Sequence, residues 1–109
     1  MGDYPTEADL KFIREFKALE RPVMDLVAYL ENIWWMPDWG FHLKKRNQKD
    51  IIGEPTWRLE LHTGGWSGNE SIMDAIMQTD WWMFCWERQV RGGHYSIEIP
   101  AWLRGVKKP

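Results

Sequence analysis

Nine tryptophans in a chain of 109 residues, at positions 34, 35, 39, 57, 66, 81, 82, 86 and 102, set the first constraint on what this chain can fold into. Each large aromatic side chain buries about 150–250 Å², so a few of them are enough to dominate a small core. A domain of this length removes roughly two-thirds of its unfolded surface from water, which supports one core and not two. Nine indoles exceed what one such core can enclose. The sequence therefore predicts a single domain over 1–109 with some tryptophans in the core and at least one aromatic patch left outside as a contact surface.

The other bulk properties are those of a globular protein, with 44% apolar and 28% charged residues. The formal net charge of −2 argues against a general nucleic-acid or membrane binder, which would carry a basic excess. Cys85 is the only cysteine, so no internal disulfide can form and a reduced compartment is expected. The acidic start MGDYPTEADL has no apolar segment of the secretion-signal kind, and the unbroken apolar runs are too short to span a bilayer. These readings together predict a cytoplasmic protein.

Along the chain the hydrophobic period changes from helical to strand-like. Thr6, with Asp9 three residues on, has the form of a capping box. Leu10, Ile13, Phe16 and Leu19 then form an apolar stripe that predicts a helix over 7–20. Pro22 suits the first turn of a second helix reaching about residue 35. From residue 40 the period is two: Phe41 and Leu43 alternate with polar neighbours, and KKRNQKD (44–50) reads as a polar connection. Trp57, Leu59 and Leu61 make a second strand with one wet face. A helix over about 68–79 follows, with Ile72, Met73, Ile76 and Met77 on its apolar side. Trp81 to Trp86 is apolar on both faces and reads as a central strand covered on both sides. Arg91-Gly92-Gly93-His94 reads as a hairpin turn leading to Tyr95, Ile97 and Ile99, ended by Pro100. AWLRGVKKP (101–109) reads as a basic tail anchored by Trp102. The expected fold is α+β: an N-terminal helical hairpin packed on a four-stranded, mainly antiparallel sheet with one further helix, in the order ααββαββ.

Two stretches carry candidate chemistry. TGGWSGNES (63–71) joins a strand to a helix, and Ser67 with Glu70 has the form of a second capping box, which would occupy the helix start. In that reading the glycines are a structural turn. The competing reading makes the loop a ligand site: backbone N–H groups at Gly64 and Gly65, Trp66 stacked on a flat ligand, and Arg88 and Arg91 from the neighbouring strand and turn, which together would suit a nucleotide-like anion. No lysine follows as in a P-loop, and the spaced glycines of a dinucleotide fold are missing. The second stretch is the wet face of the sheet. It would carry His42, Arg58, Glu60, His62, His94 and Glu98, either as plain cross-strand polar pairs or with His62 and His94 as an acid–base pair or, with Glu60, as metal ligands. The histidines lack the spacing of a recognised metal motif, so no metal, cofactor or catalytic residue is assigned. Cys85, inside an aromatic run, reads as a small buried hydrophobe.

GGWSGNES followed by WWMFCWERQVRGGHYSIEI resembles a pattern in small, uncharacterised proteins of actinobacterial phages, with YPTEADLKFIREF and WWMPDWGF in keeping. The likeness covers most of residues 4–99 and is strongest over 63–98. It implies synthesis in a bacterial host's cytoplasm and brings no activity with it. The function expected from these readings is a non-catalytic accessory protein that binds a host or phage macromolecule, a protein above all, through an exposed tryptophan surface at Trp35, Trp39 and Trp66. The alternative is a small-anion binder or small enzyme built on loop 63–71 with Arg88, Arg91, His62 and His94.

Overall fold

The computed structural model describes residues 4–49 and 53–105. Helix α1 spans Glu7–Arg14, α2 Val23–Ile33 and the single turn α3 Pro37–Gly40. Strands β1 (Phe41–Lys49) and β2 (Pro55–His62) lead to α4 (Ser67–Ile76) and α5 (Asp80–Cys85). Strands β3 (Trp86–Val90) and β4 (His94–Ile99) and the short α6 (Ala101–Arg104) follow. The strands form one antiparallel sheet in the order β1-β2-β4-β3, so β1 and β3 are its edges. The α+β class and four-stranded antiparallel sheet read from the sequence are present, with short helices α3, α5 and α6 added.

Period-two alternation divides the sheet. Phe41, Leu59, Leu61, Ile97 and Ile99 are buried in one hydrophobic cluster with Ile13 of α1, Leu26 and Leu30 of α2, Ile72, Met73 and Ile76 of α4 and Trp81 of α5. Their partners in alternation stay on the opposite, open face. The first two helices meet through Tyr29, whose hydroxyl donates to Asp9 at 2.5 Å while its ring lies 4.3 Å from that of Phe12. The Thr6–Asp9 capping box forms in full, with bonds of 2.9 and 3.0 Å.

Four expectations are corrected. The first helix stops at Arg14 rather than residue 20, because the chain turns: Phe16 and Ala18 remain buried, and the Ala18 N–H donates to the Asp80 carboxylate at 2.9 Å instead of to its own helix. The basic run 44–49 is strand rather than connection, pairing Lys45 with Trp57 and Lys49 with Pro55 across a register shift. Lysines on an edge strand are a common guard against further pairing, which makes such a strand look like a loop in sequence. Asp50, the end of that run, and the tail at 106–109 lie outside the described residues. The aromatic run 81–85 is a helix: Thr79 accepts the Trp82 N–H at 3.1 Å, and Trp81 and Cys85, one turn apart, face the core. An apolar run of this length carries no period that separates helix from strand; the helix signal lies just before it, in the Thr79 N-cap. Fourth, the capping box expected at Ser67 and Glu70 does not form at the start of α4.

Gly40 sits where α3 meets the end of β2. A Cβ there would lie 2.4 Å from the His62 carbonyl oxygen and 3.1 Å from the Trp34 indole nitrogen, both fixed by the core. Gly40→Ala is expected to destabilise the fold by about 1–3 kcal/mol through overpacking against backbone. Urea unfolding followed by tryptophan fluorescence measures it.

Candidate functional site

Loop 63–66 turns on two left-handed glycines, Gly64 (φ 64°) and Gly65 (φ 73°), and is tied to the β3–β4 turn by the Thr63 N–H donating to the Gly93 carbonyl at 2.9 Å. The second capping box does not form. Helix α4 begins at Ser67 with Trp66 as its N-cap and no side-chain cap bond; Ser67 instead donates its hydroxyl to the Tyr4 oxygen at 3.1 Å, and Glu70 is exposed. The residue that holds this joint is Asn69, which is buried. Its carbonyl accepts the Trp35 N–H at 2.9 Å, and its amide donates to the carbonyls of Trp35 at 3.1 Å and Thr63 at 3.4 Å. One side chain thereby fastens the end of α2 to the end of β2 and the start of α4.

The candidate ligand residues divide among three places. Trp66 lies between Tyr4 (centroids 5.0 Å apart) and Trp35 (5.3 Å), with its ring against Gly68, so both faces of the indole are covered. Gly64 lies under the Trp39 ring, and Gly65 is open. Arg91 lines a groove beside β3 with Trp86, Gln89, Val90 and Tyr95. His62, His94 and Arg88 do converge. They line one cleft of about 310 Å³ on the open face of the sheet, together with Glu60, Ser96 and Val90. Of the candidate partner residues, Trp35 and Trp66 are half-buried in that stack and Trp39 is 52% exposed.

Strand register builds the cleft. His42, Glu60, Ser96 and Arg88 are opposite one another across the four strands, and the next row is His62, His94 and Val90. His62 and His94 are hydrogen-bonded Nδ1 to Nδ1, with ring centroids 4.6 Å apart, and the His42 ring lies 5.8 Å from that of His62. The His42 Nε2 donates to the Trp39 carbonyl at 2.7 Å, which leaves the lone pair of its neutral ring on Nδ1. Burial, and then the charge of the neighbouring His94 and His42, hold His62 below the ordinary imidazole pKa, against a smaller opposing effect of Glu60. Glu60 is held below the usual carboxylate range first by its hydrogen bond from Lys44, 2.9 Å away, and carries Arg58 at 3.6 Å as well. Among the described residues no three His, Cys, Asp or Glu side chains are placed to hold a metal ion. Cys85 is buried, and burial pushes its thiol up to about 12, which removes it as a nucleophile.

Sequence reading missed the surface around α5 and β3. Taken as a central strand, residues 81–86 should have been enclosed. In the structure Met83 is 70%, Phe84 65% and Trp86 51% exposed, and Trp86 stacks on Trp82 at 5.8 Å. The chain matches no family model, no curated protein and no solved structure. No helix of the described residues is long and apolar enough to cross a membrane.

Two outcomes follow from this geometry. Asn69→Ala strands the Trp35 N–H and is expected to cost about 2–3 kcal/mol, seen as a fall in Tm on the order of 10 °C. Asn69→Asp, which keeps the acceptor but loses both donors, should not restore it. Because the folded-state pKa of His62 lies below its unfolded value, the native state binds fewer protons than the unfolded chain between the two. Stability is then expected to be unaffected by this group above about pH 6.5 and to fall as pH drops through that window. Tm measured from about pH 7.5 down to about pH 5 should decline, and the decline should be shallower in His62→Gln.

Proposed function

We propose that this chain is a non-catalytic accessory protein of the phage type that binds a protein partner in the cytoplasm, and that the contact is the free edge of β3 with the aromatic side chains beside it. A single observation carries the reading: β3 is an end strand whose five residues are all exposed, and it is entered through exposed Met83, Phe84 and Trp86. An end strand offers unpaired backbone groups to an added extended segment, and the neighbouring side chains supply its pockets. A groove of about 430 Å³ lies along that edge, with Trp86 and Tyr95 as its aromatic wall and Arg91 at the turn. Tryptophan is among the side chains enriched at the energetic centres of interfaces. Arg91 has no ion pair among the described residues, so an acidic residue on the partner complements it.

The occupant favoured is an extended peptide segment of a partner, apolar at alternate positions and carrying an acidic residue. A second copy of the chain fits less well: symmetric antiparallel pairing about the middle of β3 would set Arg88 against Arg88, and like charges directly opposite are destabilising. The resemblance of residues 63–98 to small phage proteins supports a host or phage protein as the source of the segment.

A display selection of random extended peptides against the folded protein tests the reading. Enriched sequences should alternate apolar residues with at least one acid, and the double variant Phe84→Ser/Trp86→Ser should lose their capture by at least about tenfold. Both side chains are exposed, so the variant should keep its Tm within a few degrees. No enrichment, or capture that survives in the variant, overturns the proposal. A dimer in sedimentation that the same variant disperses overturns it in favour of self-association.

A further inference from the structure

The open face of the sheet gathers basic groups. Facing the cleft and its surroundings are His42 and Lys44 from β1, Arg58, Glu60 and His62 from β2, His94, Ser96 and Glu98 from β4, and Arg88 from β3. One acid, Glu60, lines the cleft, and its charge is already matched by two cations. Glu60 is shared by Lys44 and Arg58, and Glu87 is taken by Arg46 reaching over from β1. Arg88 lines the cleft with no carboxylate partner among the described residues. The His62–His94 pair closes the wall beside it.

Each part of that wall suits a tetrahedral oxyanion. A guanidinium presents a planar fork of N–H donors that matches two oxygens of a phosphate. Ser96 adds a hydroxyl. In the histidine pair one Nδ1 carries the proton and the other accepts it, so a further proton converts the pair to imidazole and imidazolium without breaking the bond between them. The pair can therefore gain a positive charge at the cleft wall while keeping its geometry. Near neutral pH burial and the neighbouring imidazoles keep His62 uncharged, and a bound dianion reverses that balance. The volume of about 310 Å³ exceeds what a phosphate alone needs and leaves room for part of the group that bears it.

We infer that this cleft binds the phosphate group of a small phosphate monoester, with Arg88 as the forked donor and Ser96 and the His62–His94 pair completing the wall. The cleft shares Val90 and Tyr95 with the groove along β3, but its polar donors differ from the Arg91 and Trp86 of that edge, so Arg88→Ala and the Phe84→Ser/Trp86→Ser variant separate the two proposals.

Calorimetric titration at constant ionic strength with inorganic phosphate, AMP and sulfate tests the inference, with chloride as the control. Saturable binding of phosphate or AMP at millimolar concentration or below is expected, and Arg88→Ala should weaken it by at least about tenfold. Arg88 is exposed, so that variant should retain the Tm of the parent, and Arg88→Lys should recover only part of the affinity because the fork is lost. Tighter binding of AMP than of phosphate identifies an organic monoester as the ligand class. Sulfate stays dianionic throughout and isolates the protein's own protons: its affinity should rise as pH falls from about 8 to about 6, and the rise should vanish in His62→Gln/His94→Gln. No saturation by phosphate, AMP or sulfate overturns the inference, as does equal affinity in Arg88→Ala or equal affinity for phosphate and AMP. Micromolar zinc binding that depends on His62 and His94, without oxyanion binding, overturns it in favour of a metal site.

Discussion

The amide of Asn69 is the interaction on which the arrangement of the other parts depends. It is short, buried and used from both ends: its oxygen takes the Trp35 N–H, and its NH₂ serves the carbonyls of Trp35 and Thr63. Backbone groups at the end of a helix and in a loop have no partners in their own elements, and leaving them dry and unpaired is costly. Asn69 meets that need for two segments far apart in sequence. It thereby sets where α2 ends relative to β2 and brings Trp35 against Trp66, whose other face is closed by Tyr4. The glycine-rich joint 63–68 is narrow for the same reason: Gly64 lets Trp39 approach, and Gly68 leaves room for the Trp66 ring. A loop that in sequence resembles an anion cradle is, in the folded chain, a place where aromatic rings and backbone pass close to one another.

With that joint fixed, the sheet has two unlike faces and two unlike edges. The inner face is closed by helices. The open face is a patchwork of charge pairs in which most cations already have a carboxylate, as expected of a wet antiparallel sheet. What remains after those pairs is Arg88 with the histidines, and at the turn Arg91. Both edges carry a register shift, and the edge at β1 is in addition rich in lysine, which discourages further pairing. The edge at β3 has neither lysine nor proline in its five residues and stands next to exposed aromatics. The tryptophans thus divide: Trp34 and Trp81 are buried in the core with Trp57, Trp82 and Trp102 packed against it, while Trp86 lies on one rim of the sheet, Trp35 and Trp66 stack on each other, and Trp39 is exposed.

Much of this was legible in the residues. Alternation in 57–61 and 94–99 predicted which side chains face inward, and Gly92-Gly93 predicted the turn between β3 and β4, where both glycines have positive φ. The Thr6 capping box was readable because all its partners lie within four residues. The failures share the opposite property. Ser67–Glu70 had the same local form as Thr6–Asp9, but Ser67 found Tyr4 and the helix began one residue earlier. The first helix was cut short by a carboxylate 62 residues away at Asp80. The aromatic run 81–85 carried no period, and KKRNQKD carried the composition of a loop while pairing as an edge.

The candidate site divides in the same way. That His62 and His94 lie on the wet phase of their strands followed from alternation alone, and so did their exclusion from the core. That they touch, with His42 beside them and Arg88 in the same cleft, followed from a register that sets β2 against β4 and β4 against β3. The chain by itself determined the class of fold, the inward and outward faces, the turn at 92–93 and a surplus of aromatic surface, because each rests on covalent neighbours and a fixed period. Only the tertiary structure decided which edge was left free, which tryptophans were covered and which cations, Arg88 and Arg91, have no carboxylate partner among the described residues. Those depend on contacts between residues distant in sequence, and a one-residue change of register would have rearranged every one of them.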